Sequence, residues 1–153
     1  MANAGTMLLE MGIGMETVTG GCHCGSVRFE ARLTDGLSKP IRCTCSICRM
    51  RGAVMVFADL NGVTITAGED ALTGYRFNTG VAQHFFCSKC GVYTHHQRRF
   101  DPSQYAVNTA CIDGVSPFDF AEVRVVDGVN HPLDNDGVLQ TAGWLRYTAS
   151  DKA

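Results

Sequence analysis

No stretch of this chain holds about eighteen consecutive apolar residues, so nothing in it reads as a membrane-spanning helix. Basic runs are missing too. Thirteen Lys plus Arg stand against fifteen Asp plus Glu, a formal charge of −2, and without a basic patch the electrostatic footprint of a nucleic-acid partner is absent. The opening MANAGTMLLEMGIGMETVTGG carries no positive charge, the first being Arg28, and Glu10 interrupts its short apolar segment, which argues against a secretory signal. An apolar 3.6-residue period never lasts three turns, so any helix is expected to be short. Internal repeats and low-complexity tracts are lacking as well. These absences leave a single domain expected over residues 16–150 in a reducing cytoplasm, behind a flexible or misassigned arm over 1–15.

What the chain does contain is strand patterning. In SVRFEARL, Val27, Phe29, Ala31 and Leu33 alternate with charged residues, the period of a half-buried strand. AVMVFA (53–58) and GVTITA (62–67) follow, separated by DLNG, whose Asn61-Gly62 is a hairpin-turn signal. VAQHFF (81–86) and GVYTHH (91–96) flank a cysteine pair like hairpin arms, and QYAVNTACI (104–112), AEVRVV (121–126) and GWLRYTA (143–149) read as further strands. DGVNHPLDNDG (127–137) is rich in turn formers and reads as a loop. The expected fold is all-β and mostly antiparallel.

Eight cysteines are many for such a chain, and in a reducing compartment clustered cysteines are metal ligands more often than disulfides. GCHCG places Cys22 and Cys24 before Gly25, and FCSKCG places Cys87 and Cys90 before Gly91. Glycine permits the sharp turn that aims backbone N–H groups at clustered sulfurs, so the two pairs are expected to close one four-thiolate structural zinc site. RCTCSICRMRG adds Cys43, Cys45 and Cys48, three ligands without an adjacent fourth. Either Cys111 or a histidine completes that set, or the position is open, as in a catalytic site. Cys111 lies alone in an alternating segment and reads as a small buried hydrophobe, with ligation or thiol reactivity the alternative. His95 and His96 are adjacent on a strand and point to opposite faces, so at most one reaches a given metal; His23 and His84 read as hydrogen-bonded structural residues. Three thiolates on zinc leave a net negative complex, which suits binding an external thiol better than activating water. Arg42, Arg49 and Arg51 surround the trio and could offset that charge or hold substrate carboxylates. Arg49, Arg51 and His95 are accordingly the candidates for contacting a thiol substrate.

At these residues the chain resembles the glutathione-dependent formaldehyde-activating enzyme family, which includes centromere protein V. The shared features are GGCHCGSVRFE, CTCSICRMRGA and HFFCSKCGVYTHH in that order, with YAVNTACIDG as a following strand and turn. The resemblance implies a β-tent fold of small antiparallel sheets joined by a four-cysteine structural zinc site, with two zinc ions in all. By motif, Cys22, Cys24, Cys87 and Cys90 match the structural ligands, and Cys43, Cys45 and Cys48 match the catalytic zinc that glutathione is thought to engage. The implied reaction joins glutathione and formaldehyde as S-hydroxymethylglutathione, a carbon–sulfur lyase activity. Two other readings compete: a non-enzymatic zinc module for protein interaction, which a closed second site would favour, and redox chemistry at Cys111, because one class of methionine sulfoxide reductases shares the β-tent architecture.

Overall fold

In the computed structural model, residues 15–151 are described, so the arm expected over 1–15 lies, apart from an exposed Met15, outside the described residues. Strands β1 (Glu16–Gly21) and β2 (Arg28–Leu33) form an antiparallel pair, with the Cys22–Val27 loop between them. The alternation in β2 is realised: Phe29, Ala31 and Leu33 are buried while Glu30 and Arg32 are exposed. β3 (Ile41–Cys43) leads into the one-and-a-half-turn helix α1 (Ser46–Arg51) and then β4 (Met55–Ala67). β5 (Leu72–Tyr75), β6 (Gln83–Cys87), β7 (Tyr93–Gln97), β8 (Gln104–Asn108), β9 (Glu122–Val126) and β10 (Thr141–Arg146) complete the order. The structure is thus almost entirely β, as expected. Among the described residues no helix is long and apolar enough to cross a membrane.

The strands run β10-β9-β3-β4-β8-β7-β6-β5 in one hydrogen-bonded network, with β1–β2 attached through β4. Nearly all pairs are antiparallel; β3 and β9 are parallel. One expectation needs correction. Asn61-Gly62 makes no hairpin turn: β4 passes straight through it, and neither residue has a left-handed φ. The two apolar runs do not pair with each other because each finds a different partner. Residues 55–59 pair with β8, 63–67 pair with β2, which also reaches Ala58 through Leu33, and the register of β2 slips between Ala31 and Leu33. A bulge that changes partners uses the same turn-forming residues as a hairpin.

β4 and β8 are covered on both faces, as central strands are. Val56, Ala58 and Val107 enter one core with Phe29, Leu33, Cys111 and Ile112. Their neighbours Met55 and Ala106 point the other way, into a second cluster with Ile41, Cys48 and Val126. Register carries this division across the sheet. Phe57, Ala106, His96 and His84 lie in one cross-strand row, and Val56, Val107, His95 and Phe85 lie in the next. Adjacent rows face opposite sides, and the first looks toward the cysteine trio.

Candidate metal centres and active site

The loop between β1 and β2 and the β6–β7 turn meet at Cys22, Cys24, Cys87 and Cys90, whose sulfurs all lie within 4.8 Å of one another. Gly25 (φ 78°) and Gly91 (φ 76°) adopt the left-handed conformation, and a Cβ on either would meet nothing within 4 Å. Glycine is needed there for backbone conformation and not for space. The turns direct Val27 N–H to the Cys22 sulfur at 3.2 Å and Lys89 N–H to the Cys87 sulfur at 3.4 Å. Tetrahedral zinc with Zn–S near 2.3 Å requires sulfur separations of about 3.8 Å, and Cys22–Cys24 and Cys24–Cys87 stand at 3.6 and 3.8 Å. The donor set fits a closed zinc site. The Ser26 hydroxyl and backbone N–H beside Cys24 hold its thiol down to about 6, toward the thiolate that a metal requires.

Cys43 ends β3, Cys45 is the N-cap of α1 and Cys48 lies in its first turn, which brings the three sulfurs within 4.8 Å. No fourth Cys, His, Asp or Glu ligand atom joins this group among the described residues. Cys43 and then Cys48 act on Cys45 and pull its thiol to about 2, while Cys45, Cys48 and burial push Cys43 far up. Three crowded sulfurs cannot all ionise without a cation between them, and a divalent ion relieves that conflict. The loop after β9 closes over the trio: Thr44 Oγ1 accepts from Gly128 N–H at 3.0 Å and Val129 N–H at 3.3 Å.

The trio opens into a cavity of about 480 Å³ whose walls include Phe57, Phe77, Phe100, Leu139, Arg98 and His96. That volume suits a ligand of ordinary small-molecule size. Of the arginines expected around the trio, Arg49 is exposed and lines the cavity. Arg51 turns behind it: its guanidinium lies 3.7 Å over the Tyr93 ring, and its Nη2 is 3.5 Å from the Cys48 sulfur and 3.1 Å from His84 Nδ1. Arg42 lies beside Gly52, where its Nη2 would be 3.1 Å from an added Cβ. His96, and not His95, lines the cavity, with Nδ1 2.6 Å from the Tyr93 hydroxyl and its ring 4.7 Å from that of His84. Tyr93, His84 and Arg98 were not expected at the site, and between His95 and His96 the expectation had settled on His95. The cross-strand register that gathers them has no local signature.

His95 sits on the opposite face, stacked on Phe85 at 4.7 Å and edge-on to Tyr105 at 5.1 Å. Burial holds it down to about 4. The unfolded chain takes up that proton near 6.5, so the contribution to stability is complete above 6.5 and is lost as pH falls toward 4. The depression to about 4 is worth up to about 3 kcal/mol. In an NMR titration of the metal-loaded protein, the His95 ring is expected to stay neutral at pH 5; a midpoint near 6.5 would contradict this. Cys111, only 6% exposed, donates its S–H to the Tyr93 carbonyl at 3.3 Å, and burial raises its thiol to about 12. It belongs to the core and to neither cysteine group.

Comparison with known proteins agrees with this geometry. A family model described as glutathione-dependent formaldehyde-activating enzyme matches residues 17–124. A crystal structure of a Rhodobacter sphaeroides protein is similar at 47% identity and a TM-score of 0.69, covering 70% of this chain and 98% of that one.

Proposed function

Because the chain belongs to the glutathione-dependent formaldehyde-activating enzyme family, we propose that it is a zinc-dependent carbon–sulfur lyase. It joins an external thiol, glutathione foremost, to a small aldehyde such as formaldehyde. The observation that carries this reading is the group of three cysteines, without a fourth partner among the described residues, opening into a 480 Å³ cavity. A zinc ion held by Cys43, Cys45 and Cys48 with one position open would take a thiol as its thiolate, lowering a pKa of roughly 8.5. Arg51 supports that set by pointing a guanidinium N–H at the Cys48 sulfur, which offsets negative charge and orients the ligand. Arg98 stands in the wall with its guanidinium 4.1 Å over Phe57 and one N–H on Gln104 Oε1 at 2.6 Å. Its remaining donors suit a substrate carboxylate. Phe57, Phe77 and Phe100 keep the cavity apolar, so water competes poorly for the reacting carbon.

The test is adduct formation between glutathione and ¹³C-formaldehyde followed by NMR. The zinc-loaded chain is expected to accelerate it at least about tenfold, to lose the effect on chelation and to regain it with zinc. An unchanged rate across a range of thiols would overturn the proposal.

A further inference from the structure

The strand network ends at β10, which hydrogen-bonds to β9 alone among the described residues. Tyr147 N–H donates to the Ala121 carbonyl at 3.0 Å. With a period of two, the main-chain groups of Leu145 and Gly143 turn toward β9 as well, and those of Trp144 and Arg146 face outward. The faces of the strand are open too: five of its six residues are exposed and only Gly143 is half-buried. Trp144 is 52% exposed on one face. Leu145 at 45% and Tyr147 at 46% lie on the other, where Phe118, 66% exposed, sits 5.2 Å from the Tyr147 ring. Edge strands are usually guarded by Lys, Pro, a bulge or an inward-pointing charge. Here the bulge falls at Ala142 and leaves Gly143–Arg146 regular. The only charge from Thr141 to Tyr147 is Arg146, which Glu122 already holds at 2.7 Å.

We propose that this edge is a homodimer interface in which two copies of β10 pair antiparallel about a two-fold axis at Trp144. The order of residues along the strand favours a second copy over an unlike partner. Pairing about Trp144 sets that residue against itself, so the two copies exchange two main-chain hydrogen bonds there and bring their indoles side by side. Leu145 then stands opposite the partner's Gly143, and an added Cβ at Gly143 meets nothing within 4 Å, which leaves room for it. Arg146 stands opposite the partner's Ala142, so no like charges meet. A two-fold contact uses the same patch on both copies and closes at two. Three aromatics and a leucine, each roughly half exposed, offer on the order of 400 Å² per copy when a ring presents about 150–250 Å². Two copies, with the strand main chain added, bury about 1,000 Å², the lower size of a specific interface. Association in the micromolar range fits that size. The contact is independent of the lyase reading.

The experiment uses the full-length zinc-loaded chain. Trp144 is its one tryptophan, so the emission reports this edge alone. From low-micromolar to near-millimolar protein, the mass at sedimentation equilibrium is expected to rise from one chain to two, with a blue shift of the emission in step. Trp144→Asp should weaken the dimer at least about 30-fold. Arg146→Pro keeps the indole and removes an outward N–H at an edge position that tolerates proline; it should abolish both the rise in mass and the blue shift. Zinc content and far-UV circular dichroism of both variants should match the unsubstituted chain, because both positions are exposed. A chain that stays monomeric overturns the proposal. So does a dimer whose emission does not change, or one that survives both substitutions, since another face then makes it. A monomer that already shows the emission of a buried indole overturns it as well, because the chain itself then covers the edge. Growth past two copies would mean that β10 pairs with a different strand, and it overturns the two-fold contact.

Discussion

Cys87→Ala is expected to yield a chain that does not reach its folded state, whereas Cys48→Ala folds, retains about one zinc per chain and loses activity. Cys87 is fully buried, and its site clips the β1–β2 loop to the β6–β7 turn, segments far apart in sequence. The apolar cluster around it is small, with Cys22, Val27, Ala71 and Cys87 as its buried members. So little buried area cannot hold two loops together, and structural zinc in small peptides supplies on the order of 10–16 kcal/mol of folding free energy. Cys48 sits against β4, β8 and β9, where Ile41, Met55, Ala106 and Val126 already form a packed cluster. Its loss opens a cavity of modest cost, about 1–3 kcal/mol, and removes one of the three ligands. Far-UV circular dichroism and zinc content of the two variants check the contrast; equal unfolding would show that the two sites do not divide structure from chemistry.

Gly128→Ala should weaken metal binding at the second site without replacing a cysteine. A Cβ built there would lie 2.3 Å from the Cys43 sulfur, 2.8 Å from Cys45 Cβ and 2.9 Å from Cys45 N. The φ of Gly128 is not left-handed, so the substitution acts through contact alone. The loop cannot yield easily, because Gly128 and Val129 are tied to Thr44 Oγ1 and Asp127 accepts from Val129 and Asn130 N–H at 3.0 Å each. Overpacking of this kind costs about 1–3 kcal/mol, which corresponds to a loss of about 5–150-fold in affinity for the second metal equivalent. Gly143→Ala on β10, where a Cβ meets nothing within 4 Å, is the matched control and should bind two equivalents normally. Wild-type affinity for the second equivalent in Gly128→Ala would contradict the contact. Gly128 lies beyond the residues 17–124 matched by the family model, so a segment outside the matched core closes this site.

Much of the architecture was legible in advance because it is local. Alternation marked β2 and β8, the cysteine pair marked β6 and β7 as hairpin arms, and the CxCG and CxxCG turns announced the first metal group through a backbone conformation that glycine alone adopts readily. Asn61-Gly62 was misleading for a physical reason: turn-forming residues report a bend in the backbone, not which strand pairs on either side. The histidines show the same boundary. Period two says that His95 and His96 face apart, but only the pairing of β6, β7 and β8 decides which one meets the cysteine trio.

The amino-acid order by itself therefore determined the all-β class, the cysteine trio and the two paired-cysteine turns, since each depends on residues within a few positions of one another. Tertiary structure alone decided that Arg51 serves Cys48 and His84, that His96 faces the cavity, and that Gly128 seals the trio. Those outcomes follow from strand register and from a loop returning about eighty residues later in the chain, and short-range spacing holds no information about either.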